Sequence, residues 1–485
     1  MGLYIEMQRL RGKEISAEEI RLLKHTFEQQ LLYTLPTQPS SIFWPFNEEA
    51  AEKMRNSDDK RRYTFFLRIS HWSNGQRVTA HDYSNGWKHV LSGKWTSNRP
   101  DLLFIIKNGK RLYNRQCSEQ ELGVCALDAT TLRVDLEYAD PHFLEKLAQP
   151  FFFPALGNSQ EPNAFNGPYR VAHYNQHALE LEINPYYWDA QKLFFQGIHI
   201  DLNLTQEKAW TDFKKGDLDW LGEPFTPLSN TFAQQLKNEG KLLKREVLRP
   251  FFLFLNTQHP LLRSREIRQA LGLSIDRAYI CKNILPNSLP LYHPVPMAKC
   301  HTIHENSQKA LELFERGVQN LSLSKNYLPT LMFNYIQHAE RELFARYLQH
   351  TWKEMFNLSL DIQSQPWNLL RGNLEKKDFH LSGCCVSALY SSPIDWLQGF
   401  EEEESFSNFS GWDHPEYRSV VSSIVHVKES EQTRLIEGAA SIFAYESPAI
   451  PVCSCSIIYA KHAQLKGEVF DSSSCVDFRF SFLEE

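Results

Sequence analysis

No apolar run in this sequence approaches the ~18–20 residues that a membrane-spanning helix needs. The strongest runs, residues 251–255 and 151–153, have the length of strands, so no transmembrane helix is predicted. Clustered basic charge is also missing. With 52 Lys+Arg against 58 Asp+Glu the formal net charge is −6, which excludes the basic face a nucleic acid would require. The first ten residues place Glu6, Gln8 and Arg9 where a secretion signal would place its apolar stretch, so no export signal is read there. Cysteines are present but unpatterned. All nine (117, 125, 281, 300, 384, 385, 453, 455 and 475) lie outside any CxxC pair, and the total is odd, so disulfides are neither required nor excluded. The stretch Cys300, His301, His304 has donor atoms for a metal but reads as an ordinary polar loop, and no metal site is assigned.

Catalytic signatures are absent as well. There is no GxxxxGK[ST], HExxH, GxSxG or GxGxxG. Ser274 follows a glycine but lacks the second glycine of a nucleophile elbow and falls within a helical pattern. The remaining histidines have no paired spacing, and the acidic run at residues 401–404 reads as a solvated loop. No repeat of 20–50 residues and no low-complexity linker is visible. The chain is therefore expected to be neither an enzyme nor the carrier of a cofactor.

What is present is a globular sequence of 485 residues, too long for one hydrophobic core and so divided into at least two domains. Residues 63–68 (YTFFLR) form a strand that runs into a turn at Ser73, Asn74 and Gly75. Thr79 with Asp82 makes a capping box, followed by Tyr83, Trp87, Val90 and Leu91 on one helical face. Residues 132–136 alternate like a half-buried strand, and Asp140 and Pro141 restart the chain into a helix near residues 143–147. Residues 170–174 and 179–183 predict a hairpin. Residues 250–256 form an apolar strand. Ile267, Ala270, Leu271, Ser274 and Ile275 then have helical spacing until Asp276 caps a new helix. A strand at 331–335, a helix at 340–356 striped by Phe344, Leu348, Trp352 and Met355, and a strand at 358–362 give β–α–β order and a partly parallel sheet. The fold class is α/β. Aromatic residues make up 13% of the chain, mostly core, with Trp and Tyr also suited to a cleft that grips varied ligands.

Several blocks, in one order, resemble the family-5 extracellular solute-binding proteins that feed ABC importers. They are Tyr63 to Arg68, Trp72 to Tyr83 with Trp87, Leu122 to Val124 with Asp128, and Asn166 to Tyr169. Further along come Asn184 to Asp189, Gly216 to Asp219, Leu255 to Thr257, Arg265 to Ala270 and Leu273 to Arg277. Trp352, Trp367, Pro393, Trp396, Gly411, Trp412 and Tyr417 extend the likeness to roughly residues 60–480. The resemblance implies a two-lobed periplasmic-binding-protein-like fold that encloses its ligand by hinge rotation. The first lobe is expected from residues 1–45, 160–250 and 450–485, with an extra subdomain at 46–159, and the second lobe from 251–449.

The same resemblance implies an extracytoplasmic monomer that captures a peptide or peptide-like solute and delivers it to an ABC permease with its ATPase. Placed on the family's ligand regions, Phe104, Trp220, Gly222 and Glu223 would line the cleft from the first lobe, and Trp367, Cys385, Val386, Ser387 and Leu389 from the second. Gly383 falls where oligopeptide binders carry an arginine, and Leu389 where they carry the aspartate that pairs with the peptide's amino terminus. A blocked or differently oriented peptide, or a peptide-like thiol compound, is therefore expected, with Glu223 as the substitute anion. Three alternatives stay open. The same fold could hold a metal chelate, haem or sugar; the chain could be a degenerate paralogue acting as an adaptor or chaperone; or it could be an enzyme without a familiar motif.

Overall fold

The structure is a computed structural model. It describes residues 2–6, 50–95, 99–147, 150–157, 164–247, 249–295, 298, 302–324, 327–386, 393–405, 407–470 and 476–484. The chain forms two compact units. Unit 1 comprises Met1–Leu228, Gln235–Leu243 and Ile458–Glu485; unit 2 comprises Ser229–Gln234 and Lys244–Ile457.

Unit 1 is built on a seven-stranded sheet ordered Leu243–Arg245, Ile457–Lys461, Trp220–Gly222, Gly2–Glu6, Gly197–Leu204, Ala178–Ile183, Tyr169–Tyr174. Its last two strands form the expected hairpin, with Tyr169 opposite Ile183. A separate four-stranded antiparallel sheet runs Ala51–Asn56, Arg62–Leu67, Thr131–Asp135, Val124–Ala126. Against it lies the helix Ala80–Leu91. The backbone N–H of Thr79 donates to the Asp82 carboxylate at 2.7 Å, so the predicted capping box starts this helix. Tyr83, Trp87 and Leu91 are buried on one stripe, whereas Val90 is only half-buried. The short apolar run 151–153 lies in and just after a 3-10 turn at Pro150–Phe152, where the Phe152 carbonyl accepts from Trp87 Nε1 at 3.1 Å.

Unit 2 has a six-stranded mixed sheet ordered Ser288–Pro290, Ala449–Cys455, Pro250–Leu255, Leu381–Cys385, Leu331–Ile336, Leu360–Gln365. Its middle strand, PFFLFL, is buried at every position. Alternation sends Phe251, Leu253 and Leu255 into one core and Phe252 and Phe254 into the other. The first core is covered by Arg265–Leu273, Arg277–Asn283, Ser307–Asn320 and Ala339–Phe356, and the second by Trp367–Lys376, Pro393–Gln398, Pro415–Ile424 and Glu429–Glu446. A strand sandwiched between two helical layers needs such a continuous apolar sequence. The predicted β–α–β unit is present, with Leu331–Ile336 parallel to Leu360–Gln365. The second strand begins at Leu360 rather than 358, because Leu358 tucks under the helix end that Asn357 closes in the left-handed conformation.

Two other sequence readings are corrected. Ser274 and Ile275 fall outside the helix: Ser274 is its C-cap, and its buried hydroxyl donates to the Leu271 carbonyl and accepts from Trp352 Nε1 at 2.9 Å. The acidic run is not simply solvated, since Gln258 donates to the Glu403 carboxylate and Lys377 to the Glu403 carbonyl at 2.9 Å.

One half-buried pair makes unit 2 sensitive to acid. His259 and His380 lie 4.3 Å apart between ring centroids. Nδ1 of His259 accepts from the Leu261 N–H at 3.2 Å, and Nδ1 of His380 accepts from the Met332 N–H at 3.0 Å, so each ring must be neutral at that nitrogen. Burial, and then the neighbouring His380, push His259 down to about 4; burial also lowers His380. A histidine whose folded pKa lies below its unfolded value stabilises the fold fully above the unfolded value, near 6.5. That contribution is lost as the pH falls toward 4. Melting temperature measured across this window should drop for the wild type and drop less for His259→Asn, which cannot take the proton.

Candidate functional site

In unit 1 the predicted residues Trp220, Gly222 and Glu223 share one short strand and the turn that follows. Trp220 is fully buried and sits in an aromatic cage: Tyr459 stacks on it at 4.5 Å, Phe478 meets it edge-on at 5.4 Å, and Phe225 and Phe470 close the sides. Its indole N–H donates to the Glu223 carbonyl at 3.2 Å. Gly222 has φ +97, and a Cβ there would stand 2.7 Å from the Ile458 carbonyl oxygen. Only glycine fits. Glu223, half-buried, exchanges backbone and side-chain bonds with Ile458: its N–H donates to the Ile458 carbonyl at 3.0 Å, and its carboxylate accepts from the Ile458 N–H at 3.0 Å. The strand thus fixes the position of the Glu223 carboxylate by pairing with Ile457–Lys461. Phe104, in the 3-10 turn Pro100–Ile105, faces Tyr113 at 5.3 Å and makes no ring contact with the Trp220 cage among the described residues.

In unit 2, Trp367 opens the helix Trp367–Lys376, and it and Val386 pack against the core around Phe252 and Phe254. Cys385 ends the strand Leu381–Cys385 opposite Phe251 and belongs to the other face. Val386 donates its N–H to the Pro250 carbonyl at 2.9 Å, continuing the ladder one residue past the strand. Ser387 and Leu389 lie outside the described residues, as do Cys300 and His301. His304, the remaining member of that predicted loop, stacks on Tyr292 at 4.5 Å. Among the described residues no group of three or more His, Cys, Asp or Glu could hold a metal ion, and no helix is long and apolar enough to cross a membrane.

Gly383, the position without an arginine, is explained by packing. A Cβ on it would lie 2.7 Å from the Phe251 ring, so the central strand's first phenylalanine occupies the space of any side chain at 383. What sequence reading missed is Arg341, which lies over that same ring at 4.0 Å and donates to both Cys385 and Cys455. No local pattern marks it, since its partners come from strands 44 and 114 residues away.

The model of the bacterial extracellular solute-binding proteins, family 5, matches residues 46–407. The chain belongs to this family. Among curated proteins, this family 5 chain is 26% identical over 461 residues to the oligopeptide-binding protein OppA of Bacillus subtilis, covering 90% of this chain and 85% of that protein. It is 25% identical to the periplasmic murein peptide-binding protein MppA of Escherichia coli, covering 76% and 72%. The solved structure of the Escherichia coli murein tripeptide binding protein MppA matches with a TM-score of 0.82 at 19% identity, covering 99% of this chain and 97% of that one. Listeria monocytogenes OppA bound to peptide matches at 0.80 and 20% identity, each chain covered to 90%. These likenesses establish the two-lobed α/β fold expected from the resemblance.

The tight contact at Gly222 yields a test in this family 5 chain. Gly222→Ala forces a side chain into positive φ and against the Ile458 carbonyl, at a cost of about 1–3 kcal/mol. Urea unfolding should show that loss, and a variant as stable as wild type would contradict the geometry.

Proposed function

We propose that this chain is the capturing subunit of a peptide importer, taking a peptide or peptide-like solute and handing it unchanged to an ABC permease and its ATPase on the extracytoplasmic side. The observation that carries this reading is a family match over residues 46–407, together with near full-length likeness to proteins named for binding oligopeptides and murein peptides. Binding, not turnover, is the activity, and the working form is a monomer. The first lobe is assigned to 1–45, 160–250 and 450–485, and the second to 251–449, with the strand Ala449–Cys455 joined to the sheet of unit 2. The extra subdomain is assigned to 46–159, a reading supported by the separate sheet spanning Ala51–Asn56 to Thr131–Asp135. Phe104, Trp220, Gly222 and Glu223 serve the ligand from the first lobe, and Trp367, Cys385, Val386, Ser387 and Leu389 from the second.

The ligand's amino end is not the usual one. Leu389 replaces an anion, and an ammonium enclosed without a carboxylate costs on the order of 3–5 kcal/mol. Glu223 is the substitute anion on the proposed lining, but its carboxylate already accepts from the Ile458 N–H. A short peptide with a blocked amino terminus fits this charge pattern better than a free one. Calorimetry with tri- to pentapeptides, each free and N-acetylated, tests this. The account predicts that the acetylated form binds at least as tightly. Tight binding of free peptides that acetylation abolishes would overturn the blocked-ligand reading. Absence of binding by every peptide would overturn peptide capture itself.

A further inference from the structure

Unit 2 holds a charged group that solute capture does not account for. Arg341, near the start of the helix Ala339–Phe356, donates from Nη2 to Cys385 Sγ at 3.6 Å and to Cys455 Sγ at 3.7 Å. The two sulfurs are 3.7 Å apart, with Cys385 the donor. Arg341 Nη1 is buried without a hydrogen-bond partner, and among the described residues no carboxylate pairs with this guanidinium. A buried cation left without an anion is strongly unfavourable. The anion available is a thiolate shared between the two cysteines. Hydrogen bonds from Cys385 and Cys453, and then the Arg341 charge, hold Cys455 well below the ordinary thiol range, while the hydrogen bond to Cys455 and burial push Cys385 well above it, so at rest the pair's proton sits on Cys385. The thiolate, not the thiol, is the nucleophile.

The sheet limits what this pair can do. Cys385 is paired with Phe251, and Cys455 donates its N–H to the Arg249 carbonyl on the opposite edge of the same chain segment. The two backbones are therefore two strand spacings apart, about 9.5 Å. A disulfide needs Cα atoms within about 7 Å. The pair cannot close on itself while the sheet is intact. A partner for the sulfur must come from outside, and Cys385, half-buried, is more accessible than Cys455, which is 8% exposed.

We propose that Cys385, seated with Cys455 under Arg341, is a modification site that exchanges with small disulfides of carboxylate-bearing thiols to give a mixed disulfide at Cys385. The pair's single proton moves from Cys385 to Cys455. The Cys385 thiolate attacks one sulfur of the disulfide RSSR, the S–S bond breaks, a Cys385–S–S–R bond forms, and RS⁻ leaves. RSSR is the oxidant: the Cys385 sulfur is oxidised and the departing sulfur is reduced. The exchange removes the anion beside Arg341, and a carboxylate on R restores one against the unpartnered Nη1. This is why an acidic thiol is the class selected. Arg341, Cys385 and Cys455 all belong to unit 2.

The test uses the full chain at neutral pH with oxidised glutathione, against the cationic disulfide cystamine, and peptide-mapping mass spectrometry follows each cysteine. Cys117 and Cys125, also partly exposed, serve as internal references. Cys385 should be glutathionylated ~10-fold or more faster than either reference, as a guanidinium-held thiolate would be. Glutathione should outpace cystamine at this position. Arg341→Gln should abolish the preference, while Arg341→Lys, which keeps the charge, should retain part of it, with melting temperatures reporting that both variants are folded. Rates at Cys385 no faster than at Cys117 and Cys125 would overturn the proposal, as would a Cys385–Cys455 disulfide as the product. Cystamine reacting as fast as glutathione would overturn the acidic class. The wild-type comparisons stand even if a variant fails to fold.

Discussion

The structure of unit 2 depends on one strand that has water on neither face. Pro250–Leu255 carries six apolar residues in succession and lies between two helical layers, so each residue is committed to one core or the other. Its two edges are equally committed, to Ala449–Cys455 on one side and Leu381–Cys385 on the other. Slipping the register by one residue would exchange every phenylalanine between cores of different shape. The ring of Phe251 then dictates its surroundings: glycine at 383, and the guanidinium of Arg341 above it. The same strand thus explains an absent side chain and an unexpected charge.

Buried arginines elsewhere in unit 2 act differently, as pins for carbonyl groups. Arg268 donates to the carbonyls of Leu262, Arg263 and Glu446, and Arg277 to those of Gly272, Ile275 and Pro451. Each satisfies one carbonyl in the last turn of a helix, Glu446 or Gly272, together with others in a neighbouring turn or strand. Arg341 has no such carbonyl set, and its sulfur partners set it apart from the structural arginines.

Much of the fold was legible because the recognisable blocks are local devices. Thr79 with Asp82 is a cap, and Asp276 caps the next helix by accepting from Tyr279. The Asn184 side chain accepts from the Tyr186 N–H and that of Asn256 from the Gln258 N–H, each closing a turn two residues on. Turn and cap chemistry is written in neighbouring residues, so a sequence displays it. The misread place was one where a distant contact decided the local conformation, as with Ser274 beneath Trp352. The site was less legible for the same reason. Trp220 and Glu223 could be chosen by their position in the family pattern, but all of the cage around Trp220 except Phe225 comes from residues more than two hundred positions later. The Arg341 cluster, assembled from a helix and two strands, had no signal in spacing at all.

A capturing subunit holds a peptide-like molecule and releases it chemically unchanged. Native mass spectrometry of freshly purified protein, followed by denaturation and analysis of what is freed, puts this to the test. The expected result is a complex heavier than the chain by the mass of a short peptide or peptide-like compound, the same intact molecule being recovered on unfolding. A chain that carries no such adduct, and gains none when incubated with peptide mixtures, would contradict it.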